Sequence, residues 1–358
     1  MAPATKGAES HTGPPTIATI AAHTGLSRST VTHVLNGRAA EQRIRPETRQ
    51  RVLQAAQELG YRANASARAI RAGRFGSVAL VQSQLGRYLP AELLNGLTTA
   101  MAAQDLQLVL TQVANVDDSG ESYLAHTMRA LSVDGVFINR HGDRPPPFLA
   151  HIRRLRIPAI FLNSKQDVDC IYPDDLRGGE LAAEALLRLG HERIAYVETE
   201  ERSIPHYSER DRRAGYERAM RSAGRAPWVH RLPIDWRSPG GTHADQRVEA
   251  AVRLLNTRDR PTAVVAYELT ESMAVVRASL LLGLRIPEEL SLIHFHSHVD
   301  ERCFLPIHTV SNMMQQVGEG AVSMLLEKIE NPNQTLPSRA VPEVLLEGAT
   351  CMPPGQPR

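Results

Sequence analysis

Four polar side chains, Arg28, Ser29, Thr32 and His33, fall within six residues of one another near the start of the chain. They are interleaved with Val31, Val34 and Leu35, so on a helix the apolar three turn inward and the polar four turn outward. Guanidinium, hydroxyl and imidazole groups on one exposed helical face are the groups that read base edges and phosphates in a DNA groove. Arg in particular can grip guanine through two parallel hydrogen bonds. Towards the other end His294, His296 and His298 alternate, which puts them on one face of an extended strand, with Asp300, Cys303 and His308 nearby. An H-x-H run at a strand end is also how metal-dependent hydrolases begin a metal site. The competing reading is three polar residues leaving a sheet near a subunit contact. No H-E-x-x-H run or acidic cluster elsewhere completes a metal site, which argues against a metal-dependent hydrolase; neither enzymatic activity nor a cofactor is expected.

The elements that must carry these groups follow from charge and periodicity. The 358 residues are 42% hydrophobic and 22% charged, with a net charge of +2, which fits two or three folded domains and excludes wholesale disorder. That near-neutral sum hides an asymmetry: residues 1–74 carry 11 Lys and Arg against 4 Asp and Glu, a net +7, and the remainder is net −5. A basic segment confined to one end points to a nucleic-acid or membrane contact there. Thr16 is placed to cap a first helix with Ile17, Ile20 and Ala21 on one face, Gly25 to make a tight turn, and Ser27 to cap the helix that carries Arg28. A third helix starts at Pro46, turns Val52, Leu53, Ala56 and Leu59 inward, and stops at Gly60. This is the pattern of a helix-turn-helix head; a small helical bundle with no nucleic-acid role is the bland alternative.

After Gly76 apolar strand-like runs alternate with amphipathic helical stretches. Examples are Ser77 to Val81 then Ala91 to Ala103, Gly135 to Ile138, Ala159 to Leu162, Ile194 to Val197 then Arg212 to Ala223, and Ala263 to Ala266 then Met273 to Leu282. Strict alternation implies parallel sheets covered by helices, and roughly 280 residues exceed one comfortable sheet, so two α/β lobes are expected. Cys170, Cys303 and Cys351 are scattered and odd in number, which argues against a disulfide framework and fits a reducing cytoplasm. Residues 1–15 lack the apolar core of a secretory leader, and no stretch approaches ~20 consecutive apolar residues.

The run TIATIAAHTGLSRSTVTHVLN from Thr16 to Asn36, followed by Gly37-Arg38, PETRQRVLQAAQELGYRANASARAIRAGR and GSVALVQ, resembles the LacI/GalR family of transcriptional regulators. Later stretches echo it as well: VDGVFIN, IPAIFLN, GGELAAEALLRLGHERIAYVE, RRAGYERAM, DRPTAVVAY, GLRIPEELSLI and LPIHTV. The resemblance implies a tail at 1–15, a helix-turn-helix domain at 16–62, a hinge helix and linker at 63–75, a two-lobed body at 76–350 and a tail at 351–358. The body resembles a type I periplasmic sugar-binding protein of two doubly wound parallel-sheet lobes. One lobe is placed at about 76–163 plus 298–330, the other at about 164–297 plus 331–350.

The same resemblance assigns base contacts to Arg28, Ser29 and His33, with Thr32 beside them; the family usually has Arg where this chain has His33. It assigns Asn64 to Ala72 to a hinge helix. Nine residues are too few to hold a helix unaided in water, so the hinge should order only when two copies pack on DNA. Ala67 and Ile70 would then face the partner hinge, and Ile70, where Leu is usual, would wedge into the minor groove. Ala63 stands where the family has Pro before Asn64. For the effector the resemblance points to Asn163, Arg212 and Trp236, with Glu268 where an Asn-Asp pair is usual and His294-Phe295-His296-Ser297 where Gly-Phe-Asp-Asp is usual. The implied partners are double-stranded operator DNA, a second copy of the chain, and a small-molecule effector, with a sugar, another ligand or none left open; no membrane is implied. A solute-binding protein with the same body, or a metal-dependent hydrolase built on the histidines, are the competing functions.

Overall fold

The computed structural model describes residues 15–35, 39–61, 74–83, 89–113, 133–139, 152, 154–199, 206–234, 243–299 and 305–355. It divides into two compact units, residues 1–75 and 76–358.

In the first unit α1 (Ile17–Thr24), α2 (Arg28–Leu35) and α3 (Pro46–Glu58) close around Ile20, Ala21, Val31, Val34, Val52, Ala55 and Ala56. The Thr16 hydroxyl accepts from the Thr19 N–H at 3.2 Å, and the Thr19 hydroxyl accepts from the Thr16 N–H at 3.1 Å, so two orphan donors at the start of α1 are satisfied. Gly25, at φ 64°, makes the left-handed turn that a side chain would strain. One inward assignment fails: Leu53 is 43% exposed, and Ala55 takes the buried place, because α3 turns a narrow small-residue stripe to its neighbours.

The second unit holds two sheets. β1 (Ser77–Ser83), β2 (Gln107–Val113), β3 (Gly135–Asn139), β4 (Ala159–Leu162), β5 (Cys170–Pro173) and β11 (Arg339–Val341) form the first, in the order β11-β5-β4-β3-β1-β2, all parallel. β6 (Ile194–Thr199), β7 (Trp228–Leu232), β8 (Ala263–Ala266), β9 (Ser291–His296), β10 (His308–Ser311) and β12 (Val344–Leu346) form the second, in the order β12-β10-β9-β8-β6-β7. Only β12 runs antiparallel to its neighbour among these described strands. Core clusters lie on both faces of each sheet, so β4 and β8 are buried at every position and read in sequence as unbroken apolar runs. α4 (Ala91–Ala102) and α9 (Met314–Glu330) pack on the first sheet. α5 (Asp175–Arg188), α6 (Tyr207–Ser222), α7 (His243–Leu255) and α8 (Leu269–Leu282) belong with the second.

The lobe limits expected from sequence are displaced. β5 and β11 ladder with the first sheet and β10 with the second, so the chain passes between lobes after Pro173, after Ser311 and after Val341. The expected passages after 163, 297 and 330 would each strand a short strand in the wrong sheet without its hydrogen bonds. Burial raises the thiols of Cys170 to about 11 and Cys351 to about 12, so both stay protonated, and neither is in a disulfide. No described helix is long and apolar enough to cross a membrane.

Candidate functional site

The head presents a polar face on a fixed backbone. The Ser27 hydroxyl accepts from the Thr30 N–H at 3.1 Å and so starts α2 one residue before Arg28. Val31 and Val34 anchor the helix inward, which leaves Arg28 and Ser29 exposed and Thr32 and His33 half-buried on the other side. The Thr32 hydroxyl donates to the Arg28 carbonyl at 2.7 Å, leaving its lone pairs to accept from a donor such as a base amino group. The hinge residues Asn64, Ala67 and Ile70 lie outside the described residues, as does Trp236.

Between the two lobes of the body, three of the four effector residues named from sequence are described. Two of them are engaged by the protein itself. The backbones of α5 and α6 meet at Gly179 and Gly215, where a Cβ would fall 2.1 Å from the Arg212 carbonyl oxygen or 2.0 Å from that of Leu176. This approach brings Asp175 under Arg212. The Arg212 Nε donates to Asp175 Oδ1 at 2.6 Å and its Nη1 donates to the Tyr267 carbonyl at 2.9 Å. Its guanidinium lies 4.3 Å from the Phe295 ring centre and 5.0 Å from that of Tyr267, and the residue is 6% exposed. Burial opposes the Arg212 charge, and the Asp175 carboxylate overrides it, so the guanidinium is held above its ordinary value.

Asn163 ends β4 in the left-handed region, at φ 48°. Its carbonyl oxygen is 2.8 Å from His206 Nε2, and its Oδ1 accepts from the Tyr207 hydroxyl at 3.3 Å. With Nε2 as the donor, His206 Nδ1 is the acceptor for Ser208, whose hydroxyl is 2.7 Å away and also meets the Tyr267 hydroxyl at 2.9 Å. Lys165 adds an ion pair to Asp211 at 2.6 Å. The end of β4 is thereby tied to the start of α6 across the two lobes. Glu268 stands at the start of α8, where its charge adds to burial in pushing the neighbouring Glu271 up to about 7. Glu271 is fully buried and accepts a hydrogen bond from the Thr199 hydroxyl.

Two of the three alternating histidines, His294 and His296, share a side of β9 with ring centres 5.8 Å apart; His298 lies in the bend after the strand, its ring centre 5.1 Å from that of His296. Asp300 and Cys303 lie outside the described residues, and His294 and His298 are engaged by the protein itself. His294 is buried with Nδ1 2.9 Å from the Ser272 hydroxyl and Nε2 3.0 Å from the Thr309 hydroxyl, and burial pushes its pKa down to about 3. His298 pairs with Glu92 at 3.1 Å. Among the described residues no three His, Cys, Asp or Glu side chains are grouped to hold a metal ion. Asp175, His206, Tyr267 and Glu271 carry much of the polar network, and sequence reasoning passed over them. The Asp174-Asp175 pair at a strand-to-helix turn was the one local signal.

Comparison with known proteins matches this two-part build. Residues 16–64 fit the model of bacterial regulatory proteins of the lacI family, and residues 183–351 fit a periplasmic binding protein-like domain. The chain is 28% identical over 342 residues to the HTH-type transcriptional repressor PurR of Escherichia coli O1:K1 / APEC, spanning 93% of this chain and 95% of that repressor. A LacI family transcriptional regulator from Mycobacterium smegmatis has a solved structure 27% identical to this chain, with a TM-score of 0.61 over 77% of this chain and 99% of that one. The lac repressor dimer bound to operator and the anti-inducer ONPF, 22% identical, shares the fold with a TM-score of 0.76 over 95% of this chain and 100% of that one. The chain thus carries a lacI-family helix-turn-helix head and a periplasmic-binding-protein-like domain, the two-part build of the LacI family regulators to which it is similar.

Proposed function

We propose that this protein is a sequence-specific, DNA-binding transcription regulator without enzymatic activity, a repressor that acts as a homodimer on double-stranded operator DNA in the cytoplasm. The observation that carries the reading is the exposed Arg28 and Ser29 on a helix locked from behind by Val31 and Val34, within a segment of net charge +7. Arg28, Ser29, Thr32 and His33 read the major groove. Residues 63–75 connect head and body, with Asn64, Ala67 and Ile70 ordering in the minor groove. One head reads one half-site, so two heads on a twofold axis need half-sites about 34 Å apart.

A small-molecule effector bound between the lobes, at Asn163, Arg212, Trp236 and Glu268, controls operator affinity, and by linkage operator DNA alters effector affinity by the same factor. An effector other than a sugar is favoured by one feature: Arg212 and Asn163, the polar anchors for hydroxyls, already bond to Asp175, Tyr267, His206 and Tyr207. Selection of bound duplexes from random DNA by the full chain tests the reading. It predicts one enriched, twofold-symmetric site; a pool that stays random would overturn it.

A further inference from the structure

Glu343 is 4% exposed, and neither of its carboxylate oxygens has a hydrogen-bond partner. It sits between β11 and β12, in the step that carries the chain from the first lobe to the second. Its Oε2 lies against Gly178, where a Cβ would come within 1.5 Å of it. Gly178 follows Asp175 by three residues on α5, so the Glu343 carboxylate rests over the helix face that carries Asp175. Asp175 is 1% exposed; its Oδ1 takes the Arg212 Nε at 2.6 Å, and its Oδ2 has no partner.

The groups that face this pair come from every neighbouring element. α5 adds Asp174; α6 adds Arg212, Tyr207 and Asp211; β6 adds Tyr196; the turn after β8 adds Tyr267. Asp211 is matched by Lys165, and the Tyr207 hydroxyl, within reach of Asn163 Oδ1 and the Pro173 carbonyl, also hydrogen-bonds the Asp175 carboxylate but brings no charge. That leaves Arg212 as the cation for two buried carboxylates among the described residues. A surplus buried negative charge is costly. A proton is the smallest group that removes it, and the same proton turns one of three partnerless acceptors into a donor.

We propose that Asp175 and Glu343 hold one proton between them at neutral pH and that this shared proton makes the junction of the two lobes sensitive to pH. Burial raises both carboxyls above the ordinary carboxylate range, and for Glu343 the charge of Asp175 adds to it. The pair titrates as a unit rather than as two independent acids. Its place gives the proton leverage. Asp175 follows β5 and Glu343 follows β11 directly, and the two strands are neighbours whose ends are joined by the Asp174 N–H donating to the Val341 carbonyl at 2.9 Å. Any movement of one lobe against the other that brings water to Glu343 lets it ionise and releases the proton, so rising pH favours that arrangement.

The test is the infrared spectrum of the full chain in heavy water at neutral pH, wild type minus E343Q, together with denaturation midpoints of both across pH. The difference spectrum should show the carbonyl band of a protonated carboxylic acid, because in E343Q Asp175 ionises against Arg212. Relative to E343Q, the wild-type folding constant should fall by up to about tenfold for each pH unit above the ordinary carboxylate range. No carboxylic band in the difference spectrum, with parallel pH profiles, would overturn the proposal. Should E343Q fail to fold, D175N read in the same two ways decides it: Glu343 then pairs with Arg212, and the band is lost.

Discussion

At the scale of single residues, two arginines have opposite surroundings and should respond differently to removal. Arg28 is exposed and has its donors available to a base, so Arg28→Ala should leave folding intact. It should cost about 1–3 kcal/mol of discrimination at one base position, seen as a relaxed preference in duplex competition. Arg212 is buried on Asp175, and removing it leaves an unpaired carboxylate in a dry place. Arg212→Ala should therefore lower stability by roughly 3–5 kcal/mol in chemical denaturation, whether or not a ligand is present. Unchanged stability would mean that the guanidinium serves a ligand rather than the fold. Arg212 was legible in sequence from its place three residues before Gly215, whereas its partners were not. Asp175, Tyr267 and Glu343 lie far apart along the chain and meet only because α5, the turn after β8 and the β11–β12 step converge.

At the scale of elements, the caps and close approaches can be tested one at a time. Ser27 starts the recognition helix by accepting from Thr30, so Ser27→Ala should destabilise the head by about 1 kcal/mol and lower its melting temperature. Gly215→Ala would drive a methyl to within 2.0 Å of the Leu176 carbonyl oxygen. It should cost about 1–3 kcal/mol or more, because backbone rather than a flexible side chain must move, and it should part Arg212 from Asp175. Elements with a strong local signal were readable in advance: α1 from Thr16 and Gly25, and β4 and β8 from their unbroken apolar runs. β5, β10, β11 and β12 were not, since Cys170–Pro173, His308–Ser311 and Arg339–Val341 break their short runs with polar residues or Pro, and Val344–Leu346 is only three residues long. Their membership in a sheet is decided by neighbours distant in sequence. The displaced lobe boundaries follow from those short strands.

At the scale of the whole molecule, buried titratable groups bound the pH range of stability from both sides. His294 is held neutral, with its pKa lowered from 6.5 to about 3, so its contribution is complete above 6.5 and is lost as pH falls towards 3. Glu271 is raised from 4.5 to about 7, so its contribution is complete below 4.5 and is lost as pH rises through 7. Each limb should slope by up to about 1.4 kcal/mol per pH unit, and denaturation midpoints should peak between the two. The sequence asymmetry acts at the same scale: a net +7 segment is drawn to phosphate, and a net −5 body is repelled by it. The central claim is that the head reads a sequence and does not merely adhere to charge. It is tested most directly by the affinity of the full chain for its selected duplex against a scrambled duplex of equal length at one fixed, physiological salt concentration. A preference for the selected duplex on the order of a thousandfold or more is expected; equal affinity for the two duplexes would mean that the head binds phosphate alone.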